Sequence, residues 1–114
     1  MPVYDPTIWD DETAQEFLNG ILTLDNKSVA EAFLADVLTT SEIKEFGNRL
    51  KTAKMLRANK SYDDIRKATG MSTTTIARVS DWLKKGAGGY NIVLNRLEDT
   101  HHSHTAPDAA VSST

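Results

Sequence analysis

At 114 residues, with a formal charge of −3 and 39% hydrophobic content, the chain has room for one domain. It contains no cysteine, which excludes a disulfide framework or a Cys-based zinc site and fits a reducing cytoplasm. The apolar runs are too short for a membrane span, and the opening Met1-Pro2-Val3-Tyr4-Asp5 lacks the basic and apolar regions of a signal peptide.

Proline is scarce, so an all-α fold of about six short helices is expected. Residues 1–10 read as an extended N-terminal extension, and the helical domain as residues 11–98. The first helix is predicted from Glu12 to Leu24, with Phe17, Leu18, Ile21 and Leu22 on one face. Ser28 is predicted to cap the second, with Glu31 completing a capping box. Val29, Phe33, Leu34, Val37 and Leu38 supply its apolar stripe.

Thr39 and Glu42 repeat the capping signature ahead of the longest helix, which should reach Ala58. Ile43, Phe46, Leu50, Ala53 and Leu56 recur along it at three- and four-residue steps. Gly47 inside it disfavours helix, and a close helix crossing is the reason expected for it.

The segment from Ser61 to Ser80 reads as helix, tight turn, helix, spanning about residues 62–85. Ile65 stands five residues before Gly70, Met71 follows it, and Ile76 and Val79 lie six and nine after. Two crossed helices touch at such positions, and the unit fits a helix-turn-helix that places its second helix in the DNA major groove. Ser61 should cap the first helix, Gly70 should end it in a left-handed conformation, and Ser72 should cap the second. A plain helical hairpin would share much of this pattern.

Gly86-Ala87-Gly88-Gly89 is a break, and a last helix is expected from Tyr90 to Glu98. Residues 99–114 read as a disordered tail. His101, His102 and His104 fall in it with no second cluster, so no metal site is expected.

The charge is unevenly spread. Residues 42–85 hold 11 basic and 5 acidic side chains, whereas residues 1–41 hold 1 and 8. Affinity for phosphate follows local basic density, so the central stretch suits double-stranded DNA despite the acidic total. An ordinary solvated helix surface is the alternative. The candidate DNA contacts are Arg66 and Lys67 on the first helix of the pair. On the second they are Ser72, Thr73, Thr74, Thr75, Arg78, Lys84 and Lys85. The leading end should reach base edges and the lysines phosphate. The strongly apolar early helices suggest a homodimer, with a compact monomer as the alternative. Adjacent acids such as Asp63-Asp64 do not face each other on a helix, no phosphate-binding glycine loop is present, and no enzyme or cofactor is indicated.

The stretch Leu38-Thr39-Thr40-Ser41-Glu42 through Gly47-Asn48-Arg49 resembles the Trp repressor family, where an L-T-x-x-E…G-x-R pattern begins the long helix. The resemblance runs on through Gly70 and Thr75-Ile76-Ala77-Arg78 to Leu83-Lys84, covering about residues 36–85. Gly88-Gly89-Tyr90 before an apolar helix looks like its YerC/YecD-type branch. The resemblance implies a cytoplasmic, intertwined dimer binding operator DNA as a repressor-like transcriptional regulator. It also implies a candidate ligand pocket at Arg49, Thr75 and Arg78. There the chain carries Val79 and Trp82 where tryptophan-sensing members carry Gly and Ser, which adds bulk where the ligand would lie. That departure argues for an effector-independent regulator, or one with an effector of unknown identity. The competing reading is a helical protein-protein interaction module that does not bind DNA.

Overall fold

The computed structural model describes residues 4–104, with side chains as far as Thr100. Among the described residues there are six α-helices and no strands, as an all-α fold requires. They are α1 (Glu12–Ile21), α2 (Lys27–Val37), α3 (Thr40–Arg57), α4 (Tyr62–Thr69), α5 (Thr73–Lys85) and α6 (Gly89–His104). The chain divides into two compact units, Met1–Arg49 and Leu50–Thr114, and the division falls inside α3.

In the first unit, Pro6–Asp10 forms a short 3-10 helix rather than the extended segment expected. The cause is local. Asp5 caps it by accepting from the Thr7 N–H at 3.0 Å and the Thr7 hydroxyl at 2.7 Å, and Pro6 supplies a preset φ at its start. Asp11 then caps α1, accepting from the Ala14 N–H at 2.9 Å. The helix ends at Ile21, short of Leu24, because the Thr23 N–H and hydroxyl both turn back to the Gly20 carbonyl. Asn26, not Ser28, caps α2 by accepting from the Val29 N–H at 2.9 Å. Asn and Ser are comparable caps, and the helix starts at Lys27, so Ser28 falls within its first turn. The box at the start of α3 forms in both directions. The Glu42 N–H donates to the Thr39 hydroxyl at 3.1 Å, and the Thr39 N–H to the Glu42 carboxylate at 2.8 Å. Phe17 of α1 stacks on Phe33 of α2 with centroids 6.0 Å apart. None of the residues of α1 or α2 is fully buried. A Cβ built at Gly47 meets nothing within 4 Å, so no close crossing is found there among the described residues.

The second unit holds the core. Ala53, Val79 and Leu94 are buried together, with Leu50, Trp82, Leu83 and Tyr90 packed around them. Ile65, Met71 and Ile76 form a second buried cluster against Met55. Leu56 packs against both. The Thr52 hydroxyl, also fully buried, donates to the Met71 thioether at 3.2 Å, so its one donor is satisfied by a soft acceptor. α3 ends in a Schellman arrangement. Asn59 is left-handed (φ 61), the Lys60 N–H donates to the Met55 carbonyl, and the Asn59 N–H donates to the Leu56 carbonyl.

Ser61 caps α4, accepting from the Asp64 N–H at 3.0 Å. Gly70 (φ 74) ends it and donates to the Arg66 carbonyl at 2.8 Å. Ser72 caps α5 by accepting from the Thr75 N–H at 3.1 Å. Three residues, Gly70, Met71 and Ser72, therefore make the whole turn. Past α5, Gly88 (φ 89) turns the chain into α6, and the Asn91 side-chain amide donates to the Leu83 carbonyl at 3.2 Å. α6 runs to His104, six residues past the predicted end, because no glycine or proline interrupts the chain between Gly89 and Pro107. The remainder of the expected tail, and the side chains of His101, His102 and His104, lie outside the described residues.

Ile76 is fully buried where α5 meets the core. Truncating it (Ile76→Ala) should lower unfolding free energy by about 2–5 kcal/mol in urea titrations at fixed protein concentration. A loss under about 1 kcal/mol would show that this contact does not hold the pair in place.

Candidate nucleic-acid interface

α5 has an inward and an outward face because its apolar residues recur at steps of three and four. Ile76 and Val79 are completely buried, and Leu83 is partly buried behind them. Rotating away from that stripe brings Thr73, Thr74, Ala77 and Arg78 to the exposed side. No acid lies in the first turn, whereas Lys84 and Lys85 lie in the last. The positive end of the helix dipole is thus left uncompensated by carboxylates, which favours an approaching anion.

Two of the candidate contacts are already engaged with each other. The Ser72 hydroxyl takes the Thr75 N–H and also donates to the Thr75 hydroxyl at 3.1 Å, and Thr75 is half-buried. Their polar atoms serve the cap. Thr73, Thr74 and Arg78 are exposed and make no ion pair among the described residues. The outward face therefore offers two hydroxyl side chains, one methyl and one guanidinium.

On α4 the sequence reading missed a pairing. Asp63 binds both Arg66 and Lys67, the latter at 3.2 Å. The Lys67 ammonium, and after it the Arg66 guanidinium, hold the Asp63 carboxyl below its ordinary value of 3.8. Both cations expected to meet phosphate thus share one counter-charge of their own. The three- and four-residue spacing from Asp63 is the signal that reveals this. Lys60, Lys84 and Lys85 are exposed and make no ion pair among the described residues.

The residues of the candidate ligand pocket are distributed as follows. Arg49 belongs to the first unit, where it pairs with Glu45 at 3.1 Å and lies 5.3 Å over the Phe46 ring. Thr75 is tied to Ser72, and Arg78 is exposed. Val79 is a core residue, and Trp82 packs its indole against the Ala53–Val79–Leu94 cluster. Among the described residues no group of His, Asp or Glu could hold a metal ion, and no helix is long and apolar enough to cross a membrane.

Residues 12–98 match the sequence profile of the Trp repressor protein family. The protein YerC of Bacillus subtilis (strain 168) is 36% identical over 85 residues, which is 75% of this chain and 82% of YerC. The crystal structure of a TrpR-like protein from Eubacterium eligens ATCC 27750 superposes with a TM-score of 0.76 at 37% identity, covering 81% of this chain and 95% of the other. A crystal structure from Staphylococcus aureus gives 0.72 at 34% identity, over 77% and 88% of the two chains.

Proposed function

The chain belongs to the Trp repressor family, and on that premise we propose that it is a transcriptional repressor that binds operator DNA as a homodimer in the cytoplasm without needing L-tryptophan. The family is one of DNA-binding regulators, not of enzymes. The observation that carries the reading is the outward face of α5. It presents Thr73, Thr74, Ala77 and Arg78 on a helix fixed from behind by fully buried Ile76 and Val79. A short, rigid, polar helix end with basic surroundings can enter a major groove about 12 Å wide and reach base edges with its first two turns. Arg66, Lys67, Lys84 and Lys85 supply phosphate contacts on either side, and Asp63 gives up its two partners when phosphate replaces it.

Dimerisation is supported by the first unit. Phe17, Val29, Val37, Ile43 and Phe46 are each at least 43% exposed, a density of uncovered apolar side chains that a water-facing surface does not need. Gly47 falls on the same α3 stripe as Ile43, Phe46 and Leu50, spaced for one helical face. A second copy laying a helix across this stripe covers the apolar side chains and gives Gly47 a close approach that it lacks among the described residues. Two α5 helices then address two half-sites about one DNA turn apart.

Independence from L-tryptophan rests on Val79 and Trp82. Both are packed into the core as bulk, and neither position is the small residue that a neighbouring indole ligand requires.

Replacing Thr73 and Thr74 by Glu tests the groove face. Acids in the first turn favour the helix, so the fold should survive. Affinity for an operator selected from random DNA should nevertheless drop about 100-fold or more, with the sedimentation profile unchanged. Equal affinity in gel-shift assays would remove this face from the interface.

Gly47→Leu tests the dimer. In open water a leucine there should favour helix by about 1 kcal/mol. At a crossing it should instead raise the dimer dissociation constant at least about tenfold in analytical ultracentrifugation. A dimer as tight as before, or tighter, would rule out that crossing.

Calorimetric titration with L-tryptophan should yield no binding heat, and operator affinity should not change on its addition. Micromolar binding would overturn the proposed independence.

A further inference from the structure

The second unit carries a cleft of about 400 Å³ between the end of α3 and the far half of α5. Its lining includes Leu56 and Leu83, both partly buried, with Arg57, Lys60 and Lys84 among the polar residues around them. No acid lines it. None of the three cations forms an ion pair among the described residues. Arg57 is held instead by neutral acceptors, the Asn95 side-chain oxygen at 2.7 Å and the Asn91 carbonyl at 3.4 Å. These bonds fix the guanidinium without cancelling its charge. The negative end of α3 is also muted here, because the Met55 and Leu56 carbonyls already accept the Lys60 and Asn59 N–H groups at 3.0 Å each. The left-handed turn at Asn59 that makes those bonds brings Lys60 to the cleft.

The position of the cleft is as informative as its charge. Thr73, Ala77, Ser80 and Lys84 are spaced by four, three and four residues, so they form one stripe along α5. Thr73 and Ala77 are on the exposed face assigned to the groove, and Ser80 and Lys84 line the cleft. The groove face therefore runs without interruption into a concave, cationic pocket with an apolar floor. A duplex bordering that face offers two things of matching chemistry, a phosphate oxyanion and the C–H surface of a deoxyribose.

We infer that this cleft seats a backbone phosphate of the bound duplex through Lys60, Arg57 and Ser80 together with Lys84, beyond the residues that reach the bases. The inference rests on the DNA-binding reading of α5. It adds the turn between α3 and α4 to the footprint, and it assigns to Lys60 and Ser80 contacts that carry affinity but not sequence preference.

The test uses the full-length protein and fluorescence anisotropy from 50 to 200 mM salt, with a selected operator and a random duplex as probes. Lys60→Gln should reduce the slope of log affinity against log salt by about 0.9 and weaken both duplexes by the same factor. Ser80→Asp, which places a carboxylate among the three cations, should weaken both at least about tenfold. Melting curves check the fold of each variant, and if Ser80→Asp melts early, Lys60→Gln alone decides. Wild-type binding with an unchanged slope in Lys60→Gln overturns the inference and leaves the groove face standing. A wild type that binds neither duplex overturns both. Pyrophosphate followed by amide chemical shifts separates a free anion from the duplex. Micromolar binding at Lys60 and Ser80, with the DNA salt slope unchanged, would assign the cleft to a soluble phosphate and overturn the duplex assignment.

Discussion

The docking of the α4–α5 pair on the second half of α3 is the constraint that everything outward depends on. Leu56 packs against both buried clusters, so one side chain joins the seat of α4 to the seat of α5. Ala53 and Thr52 beside it are fully buried, small or compact, and let the turn approach closely. The hydroxyl that this closeness strands is met by the Met71 sulfur, inside the turn itself. An unmet buried hydroxyl costs about 1–3 kcal/mol, so this contact matters more than its modest strength suggests. Once α5 is held at Ile76 and Val79, the direction of Thr73, Thr74, Ala77 and Arg78 follows from helix geometry alone.

What could be read from the sequence, and what could not, follows from the range of the forces involved. The bounds of α4 and α5 were legible because serine caps and a left-handed glycine act over three or four residues. Ser61, Gly70 and Ser72 all take the places their neighbours dictate. The Thr39–Glu42 box was legible for the same reason. Asn26 was missed because Ser28 and Glu31 offered a rival pattern two residues later, and the two caps are nearly equal in strength. The 3-10 turn at Pro6–Asp10 was missed because a single Asp–Thr pair decides it, with no periodicity to read. α6 was cut short because a polar composition resembles a tail even where nothing breaks the helix.

The candidate interface was legible as a set of residue types but not as a division of labour. Sequence marked Ser72 as the cap of α5 but also counted it, with Thr73, Thr74 and Thr75, among the outward contacts. Only the geometry shows Ser72 and Thr75 bonded to each other. Likewise the balance of residues 42–85 includes Asp63 among its 5 acids but does not reveal that this carboxylate pairs with both Arg66 and Lys67. A surface pair of this kind contributes little to folding. Under the proposed function its effect falls on affinity for DNA, since a phosphate would have to displace a carboxylate before it gains either cation.

Among the described residues, the seating of α5 contains no group that changes protonation around neutrality. Its two clusters are hydrocarbon and thioether, its caps are serine hydroxyls, and Thr52 and Met71 are uncharged. All three histidines of the chain lie beyond Thr100. Changes in pH around neutrality therefore leave these contacts unchanged.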